Sequence, residues 1–110
     1  MTQFAEATER LIEWHADGGH AWLKVPLELV EPFKDRISNC SYRDFEFAYL
    51  EEDCDAGVFL TWYFDFAGIE LFMHKLNQTG RFIDDGSSSP IRRLPRFDAN
   101  LTISPYLGNI

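Results

Sequence analysis

The sequence predicts an α+β domain, in which three or four mainly antiparallel strands form a sheet packed against two or three helices. Three observations predict this class. Apolar residues recur at helical spacing in some segments and alternate with polar residues in others. Clusters of Gly, Pro, Asp and Ser separate the segments. With 110 residues, of which 45% are hydrophobic and 15% aromatic, the chain has the size and apolar content of one domain. We expect a single domain over residues 1–110, with an irregular C-terminal arm over 85–110.

The N-terminal segment predicts an amphipathic helix. Phe4, Ala7, Leu11 and Trp14 recur at intervals of three and four, so they share one helical face. The two glycines that follow supply a left-handed stop. The helix should therefore end near Ala16.

A strand and a short helix are predicted next. Residues 20–25 alternate small or apolar side chains with bulkier or polar ones, which is typical of a strand with one buried face. Pro26 suits the first position of a helix. Pro32 removes an interior hydrogen bond and limits this helix to about two turns.

Residues 37–42 and 45–51 predict a hairpin whose polar turn contains Arg43 and Asp44. Apolar side chains lie on both faces of the second strand. Strands of this kind are covered on both sides, so we expect this one at the centre of the sheet.

Residues 54–67 predict a helix, with Asp53 as its N-cap and Gly68 as its stop. Nearly every position in VFLTWYFDF is apolar, so a strand is the alternative for this segment. Residues 69–76 alternate in polarity and predict a further strand.

The periodic pattern decays after residue 76. Residues 77–90 are rich in turn-forming residues and predict a loop. Residues 91–110 of the arm contain two prolines and one short predicted strand near 101–103. The arginines of the arm, Arg92, Arg93 and Arg96, are expected to pair with the acidic body and to tether the arm across the domain.

Charge is distributed unevenly along the chain. The net charge of −8 is the result of −10 over residues 1–70 and +2 over residues 71–110. Direct binding to nucleic acid is disfavoured, because proteins bind a phosphate backbone through clustered Lys and Arg. The acidic body should instead attract basic surfaces.

Other classes are also disfavoured. The first ten residues, MTQFAEATER, lack the basic start and apolar core of a secretory leader, and the longest apolar run, VFLTWYF, is too short to span a membrane. Cys40 and Cys54 are too few for a disulfide scaffold and are expected to be reduced. The sequence has no phosphate loop, dinucleotide turn, nucleophile elbow or CxxC pair. We therefore expect no cofactor, no metal and no enzymatic activity.

Four acids cluster in the segment EEDCD, from Glu51 to Asp55. The favoured interpretation is that they cap a helix N-terminus, where negative charge is stabilised. Metal binding and partner contact are the alternatives, although the spaced ligands and central glycine of a calcium loop are absent.

His15, Asp17 and His20 form a second candidate cluster. Imidazole and carboxylate groups ligate zinc, and His with Asp can act as a general base. The two histidines share no helical turn, and no third protein ligand is evident. A structural turn is the favoured interpretation. A small metal-dependent enzyme that uses these three residues is the alternative.

The segments GGHAWLKVP, SNCSY, AYLEEDCDAG and SPIRR resemble a group of small proteins encoded on bacterial plasmids and phages. The resemblance spans His15 to Arg93 and implies no role for individual residues. In size and acidity the chain also resembles the anti-CRISPR and antirestriction inhibitors, many of which occupy the nucleic-acid groove of a defence complex. This second resemblance implies an inhibitor encoded by a mobile element.

We therefore expect a small acidic inhibitor that binds the basic surface of a nucleic-acid-handling host protein, a CRISPR effector in particular. It would act in the bacterial cytoplasm as a monomer or weak homodimer, without contacting nucleic acid or membrane. The alternatives are the enzyme described above and a homodimeric interaction subunit built on exposed aromatic side chains. The predicted partner-binding residues are Glu6, Glu9, Glu13, Glu46, Glu51, Glu52, Asp53 and Asp55.

Overall fold

A mixed five-stranded sheet is the centre of the fold in the computed structural model, which describes residues 4–98. The strands are β1 (Glu13–Ala16), β2 (Ala21–Pro26), β3 (Tyr42–Arg43), β4 (Phe47–Glu51) and β5 (Phe82–Asp84). The α-helices are α1 (Glu6–Glu9), α2 (Leu27–Val30), α3 (Ala56–Tyr63) and α4 (Phe66–Gln78). Two 3₁₀ helices span Glu31–Arg36 and Pro90–Arg93. The predicted α+β class is confirmed, with more strands than expected.

The strand order is β3-β4-β2-β1-β5, and β1 with β5 is the parallel pair. A tight turn at Asp17 joins β1 to β2, because the Asp17 carboxylate accepts hydrogen bonds from the amides of Gly19 and His20. This is the Asx-type turn that Asp favours. The short helix expected after Pro26 is confirmed as α2, and the 3₁₀ helix that follows contains Pro32.

The two faces of the sheet are covered by different parts of the chain. Leu23, Val25 and Leu50 point to the main core, where they pack with Phe59 of α3 and Phe72 of α4. On the opposite face a second cluster contains Trp22, Tyr42, Tyr49 and Ile91.

The C-terminal segment covers this second face and also one edge of the sheet. Ile91 belongs to the 3₁₀ helix Pro90–Arg93, and the amide of Arg43 in β3 donates to the carbonyl of Pro95 at 3.0 Å. The amide of Phe97 donates to the carbonyl of Ser41 at 2.8 Å. Because β4 lies between β3 and β2 with apolar groups on both faces, its predicted central position is confirmed.

Asp55 is fully buried at the start of α3 and ties this helix to the loop before β3. Its Oδ1 accepts from the Ser38 amide at 3.0 Å, and its Oδ2 accepts from the hydroxyls of Ser38 at 2.8 Å and Ser41 at 2.5 Å. The Ser41 hydroxyl oxygen in turn accepts from the Glu51 amide at 3.0 Å. One buried carboxylate thus connects the loop, the end of β4 and α3.

The predicted N-terminal helix is wrong over most of its length. Only Glu6–Glu9 is α-helical, and Glu13–Ala16 pairs with both β2 and β5. The expected apolar face fails at Ala7 and Leu11, which are exposed, whereas Ile12 is fully buried. The hydrogen bonds that Glu13–Ala16 forms with two neighbouring strands stabilise the strand conformation. A short helix is only marginally stable without such tertiary contacts.

The predictions for residues 54–78 are also corrected. Asp55, not Asp53, is at the N-cap position of α3, and α3 ends at Tyr63. Gly68 lies inside α4 because Asp65 is its N-cap and accepts from the Gly68 amide at 2.7 Å. The strand expected over 69–76 is therefore helical, with Phe72 and Leu76, one turn apart, as its buried residues. Leu71, on the other face, is 70% exposed.

The predicted loop over 77–90 contains β5, and the strand expected near 101–103 lies outside the described residues.

Within the described range, neither α3 nor α4 is long and apolar enough to cross a membrane alone. Together they reach that length and composition, but they meet at a bend of 115°. Cys40 and Cys54 form no disulfide within the described residues.

We predict that Asp55→Ala lowers the free energy of unfolding by about 3 kcal/mol, because it leaves three donors around a buried site without their acceptor. Urea denaturation followed by circular dichroism measures this change. Asp53→Ala, two residues away and exposed, is the control and should change stability by less than about 0.5 kcal/mol. Equal losses in the two variants would contradict the assigned role of Asp55.

Candidate functional site

A cleft of about 340 Å³ opens where β2 begins and β4 ends, on the sheet face opposite α3 and α4. We call it the Glu51 cleft. Its walls come from the β1–β2 turn, the loop before β3, the β4–α3 turn and the C-terminal segment. The lining residues are His20, Trp22, Cys40, Tyr42, Glu51, Asp53, Cys54, Arg92 and Arg96.

Aromatic rings with cationic side chains above them form one wall of this cleft. The Arg92 guanidinium lies 5.3 Å from the centroid of the Trp22 ring, and the Arg96 guanidinium lies 4.5 Å from that of Tyr42. The His20 ring lies 6.2 Å from the Trp22 ring. These cation–π contacts hold both arginines against the sheet.

Glu51 is the most unusual residue of the cleft, because its carboxylate is buried and only half satisfied. Its side chain is 9% exposed. Oε1 accepts from the amides of Asp53 at 2.9 Å and Cys54 at 3.1 Å, which orients the carboxylate. Oε2 has no hydrogen-bond donor among the described residues. The His20 imidazole lies beside this oxygen, with its Nδ1 3.4 Å from Oε2.

Trp22 contributes a second unsatisfied polar atom. Its indole Nε1 is buried and has no acceptor in the described part of the chain. Trp22 and Glu51 are directly paired across β2 and β4. Buried polar atoms are normally hydrogen-bonded, so a water molecule or another polar group beside these two atoms would complete their bonding.

Two thiols also meet in the cleft. A hydrogen bond with the Cys40 thiol, followed by desolvation and the nearby Glu51 carboxylate, raises the pKa of the Cys54 thiol. A raised pKa keeps this thiol protonated near neutral pH, and a protonated thiol is a weak nucleophile. The cleft therefore presents Cys54 as a neutral donor group.

The three residues of the enzyme alternative are directed to different partners. His15 contacts Glu13 through Nε2 at 2.9 Å and Asp85 through Nδ1 at 3.0 Å. Asp17 binds Arg92, and His20 lies beside Glu51. The side chains of His15, Asp17 and His20 thus have different partners, although the backbone of His20 is hydrogen-bonded to Asp17 across the turn.

His15 lines a second cavity of about 230 Å³, on the same sheet face. Here Ser89 Oγ donates to Asp85 Oδ2 at 2.6 Å, and Asp85 also holds His15. The serine is bound to the carboxylate rather than to the imidazole. In a nucleophilic triad the imidazole lies between the serine and the carboxylate and receives the serine proton. Here the carboxylate lies between the serine and the imidazole.

Asp17 links the body to the C-terminal segment through Arg92, as expected, whereas Arg93 and Arg96 form no ion pair with the described acids. Its oxygens accept from Arg92 Nε at 2.6 Å and Arg92 Nη2 at 2.9 Å, in a bidentate pair. The Ser89 amide donates to Oδ2 at 2.8 Å. The hydrogen bond from Arg92, followed by that from the Ser89 amide, holds the pKa of Asp17 far below its usual value. A Cβ at Gly19 would lie 3.0 Å from Arg92 Nη2, so glycine makes room for this pair.

Four of the eight predicted partner-binding acids are buried or partly buried. Glu9 is buried, with Oε1 2.8 Å from Lys75 Nζ. Glu13 is half-buried and lies between His15 and Lys24. The other two are Glu51 and Asp55, described above.

The remaining four, Glu6, Glu46, Glu52 and Asp53, are exposed. Glu6 pairs with Arg10 at 2.6 Å. Glu46 precedes β4, whereas Glu52 and Asp53 follow it, so about 17 Å of strand separates the two groups. The structure therefore does not bring the eight acids together on one surface.

Comparisons with protein-family models, with curated proteins and with solved structures found no match.

Sequence reasoning did not identify the Glu51 cleft, because its members are far apart in the chain. The signal that was present is the alternation of β2 and β4, which places Trp22 and Glu51 on the face opposite Leu23 and Leu50. The strand register that pairs them could not be obtained from that pattern.

The Asp17–Arg92 pair predicts a specific dependence of stability on pH. Because the pKa of Asp17 is lowered by folding, the unfolded chain takes up a proton near pH 4 that the folded chain does not. The stabilisation by this pair is present above about pH 4 and is lost as the pH falls further. Asp17→Asn should be less stable than the wild type at neutral pH, and its stability should fall less steeply below about pH 4.

Urea unfolding at a series of pH values measures this difference. Asp84→Asn is the control, since Asp84 is exposed on β5 and pairs with no described base. Its curve should keep the wild-type slope. If Asp17→Asn also keeps that slope, the pair does not stabilise the fold in the way its geometry indicates.

Proposed function

We propose that this protein is a small acidic inhibitor that binds the basic, nucleic-acid-binding surface of a CRISPR effector in the bacterial cytoplasm. The observation that carries the proposal is an exposed aromatic residue, Phe45, held in a rigid acidic turn. We call Glu28, Asp44, Phe45 and Glu46 the acidic turn.

The distribution of ion pairs supports an outward negative charge. At least six of the ten Lys and Arg residues pair with carboxylates within the described part of the chain, including Arg10, Lys24, Lys34, Lys75, Arg81 and Arg92. Exposed carboxylates without an ion pair in that same part include Glu28, Asp35, Glu46, Asp53 and Glu70. The negative potential of the molecule is therefore presented to solvent.

The acidic turn is held in one conformation by its own hydrogen bonds. Asp44 Oδ1 accepts from the amides of Glu46 at 2.9 Å and Phe47 at 2.8 Å, and Oδ2 accepts from the Tyr49 hydroxyl. Partial burial raises the pKa of Asp44, but these hydrogen bonds outweigh it and leave the pKa below its usual value. The turn is thus rigid and negatively charged at neutral pH.

Phe45 stands at the tip of this turn and is 62% exposed. The amide of Leu27 donates to the carbonyl of Glu46 at 3.0 Å, which brings neighbouring Glu28 to the same end of the sheet. Exposed aromatic residues are preferred anchors of protein interfaces, and a rigid turn loses little entropy on binding.

A basic nucleic-acid groove is complementary to this arrangement. Carboxylates at the turn would accept from the Lys and Arg side chains that otherwise bind phosphates, and the Phe45 ring would stack on a guanidinium. Long-range attraction would speed association and make it sensitive to salt.

The test uses a panel of purified, guide-loaded CRISPR effector complexes and measures their binding to fluorescent target DNA by anisotropy. We expect the protein to displace DNA from at least one effector and to do so less effectively as ionic strength rises. Phe45→Ala and the double variant Glu28→Gln/Glu46→Gln should each weaken inhibition on the order of ten-fold, which corresponds to about 1.4 kcal/mol.

Glu70→Gln provides the matched control, because Glu70 is an exposed acid on α4, away from the acidic turn. It should inhibit like the wild type. The proposal fails if no effector loses DNA binding, or if inhibition is indifferent to both ionic strength and the acidic-turn variants.

A further inference from the structure

The geometry points to a zinc-binding site at the edge of the Glu51 cleft, formed by His20 and Glu51 of the cleft lining together with the neighbouring Glu52. This inference is independent of partner binding at the acidic turn. One donor atom from each of the three residues lies within 4.8 Å of the other two.

The backbone accounts for this convergence. Glu51 is the last residue of β4, and the Glu52 amide donates to the carbonyl of Ala21, the first residue of β2, at 3.0 Å. His20 immediately precedes Ala21. The pairing of β2 with β4 therefore brings the imidazole and both carboxylates to the same end of two adjacent strands.

The distances allow one ion to be shared. Zinc binds His nitrogen and carboxylate oxygen at about 2.0–2.2 Å, so its ligand atoms lie roughly 3.3 Å apart in a tetrahedral site. His20 and Glu52 are exposed, and small rotations of these two side chains bring their donors to that spacing. Glu51 is fixed by the two amides that bind Oε1.

The buried Glu51 Oε2 atom is a separate indication of a bound cation. A carboxylate oxygen removed from water is unfavourable unless it is paired with a donor or a cation. The remaining oxygen, Oε2, is without a hydrogen-bond donor in the described chain and faces His20 Nδ1 at 3.4 Å. A zinc ion between these two atoms would neutralise the carboxylate and satisfy the imidazole lone pair together.

The types of donor select the metal. Calcium and magnesium prefer sites made of oxygen alone, whereas an imidazole with two carboxylates suits zinc and related transition metals. Among these, zinc binds more tightly than manganese or ferrous iron to a given site. Three protein ligands leave one coordination position open to water.

Of the two arginines that line the cleft, Arg92 is compensated by a carboxylate and Arg96 is held away by neutral groups. Arg92, which lines the cleft, is paired with Asp17. The Arg96 guanidinium lies over the Tyr42 ring, and its Nη1 donates to the carbonyl of Asn39 at 3.1 Å. Asp53 adds a further carboxylate to the lining. The cleft therefore remains able to accept a cation.

The experiment titrates Zn²⁺ into the full-length, tag-free, reduced protein in competition with a chromophoric chelator. We expect one Zn²⁺ per chain. Glu51→Gln should weaken binding on the order of a hundred-fold, because it removes a ligating carboxylate, while its amide oxygen can still accept from the amides of Asp53 and Cys54. His20→Ala and Glu52→Gln should each weaken binding at least about ten-fold.

The double variant Glu70→Gln/His74→Ala is the matched control, because it removes a glutamate and a histidine that are exposed one turn apart on α4. It should bind zinc like the wild type. Circular dichroism establishes that each variant is folded. If Glu51→Gln does not fold, the zinc affinity of His20→Ala tests the proposal instead, because His20 is exposed and its replacement should leave the fold intact.

The proposal is overturned if the wild type binds no stoichiometric Zn²⁺, or if His20→Ala and Glu51→Gln bind as tightly as the wild type. Loss of binding in Cys54→Ser with retention in Glu52→Gln would also overturn it, since the ligands would then be thiols. No partner is present in this assay, so its result is separate from that of the inhibition assay.

Discussion

The buried carboxylate of Asp55 is the interaction on which the arrangement of the cleft depends. A carboxylate removed from water must be surrounded by donors, and Asp55 obtains them from Ser38 and Ser41. Ser41 then accepts from the Glu51 amide. Through this chain of hydrogen bonds the loop that carries Cys40 is fixed against the end of β4 and the start of α3. The walls of the Glu51 cleft are consequences of the way one buried charge is satisfied.

The need of a buried carboxylate for hydrogen-bond donors or a cation divides the acids of this chain into two groups. Carboxylates such as Glu9, Asp17 and Asp55 are covered, and each connects segments that are distant in sequence. Others, such as Glu28 and Glu46, have no ion pair within the described range and face solvent. A net charge of −8 is therefore not a uniform surface property. Only the second group is available to a partner, which is why the proposed contact surface is smaller than the sequence indicated.

Much of the fold could be predicted from local patterns, and the errors have a common physical cause. β2, α2 and the central position of β4 follow from alternation and from proline placement. The helix expected up to Ala16 and the strand expected over 69–76 are wrong, because a short apolar pattern is compatible with both a helix and a strand. Pairing with β2 makes Glu13–Ala16 a strand. The N-cap at Asp65 starts a helix that includes residues 69–76. The cleft could not be predicted, since the strand register and the contact of Cys40 with Cys54 are set by long-range packing.

The central claim is that buried carboxylates such as Asp55 hold the fold, while exposed carboxylates such as Glu46 remain free to bind a protein partner. Carbodiimide labelling of carboxyl groups, followed by peptide mass spectrometry, tests it residue by residue in the native protein and in urea. The account predicts slow native labelling at Glu9, Asp17 and Asp55, fast labelling at Glu28 and Glu46, and equal rates once the chain is unfolded. Native labelling of Asp55 as fast as that of Glu46 would contradict the account.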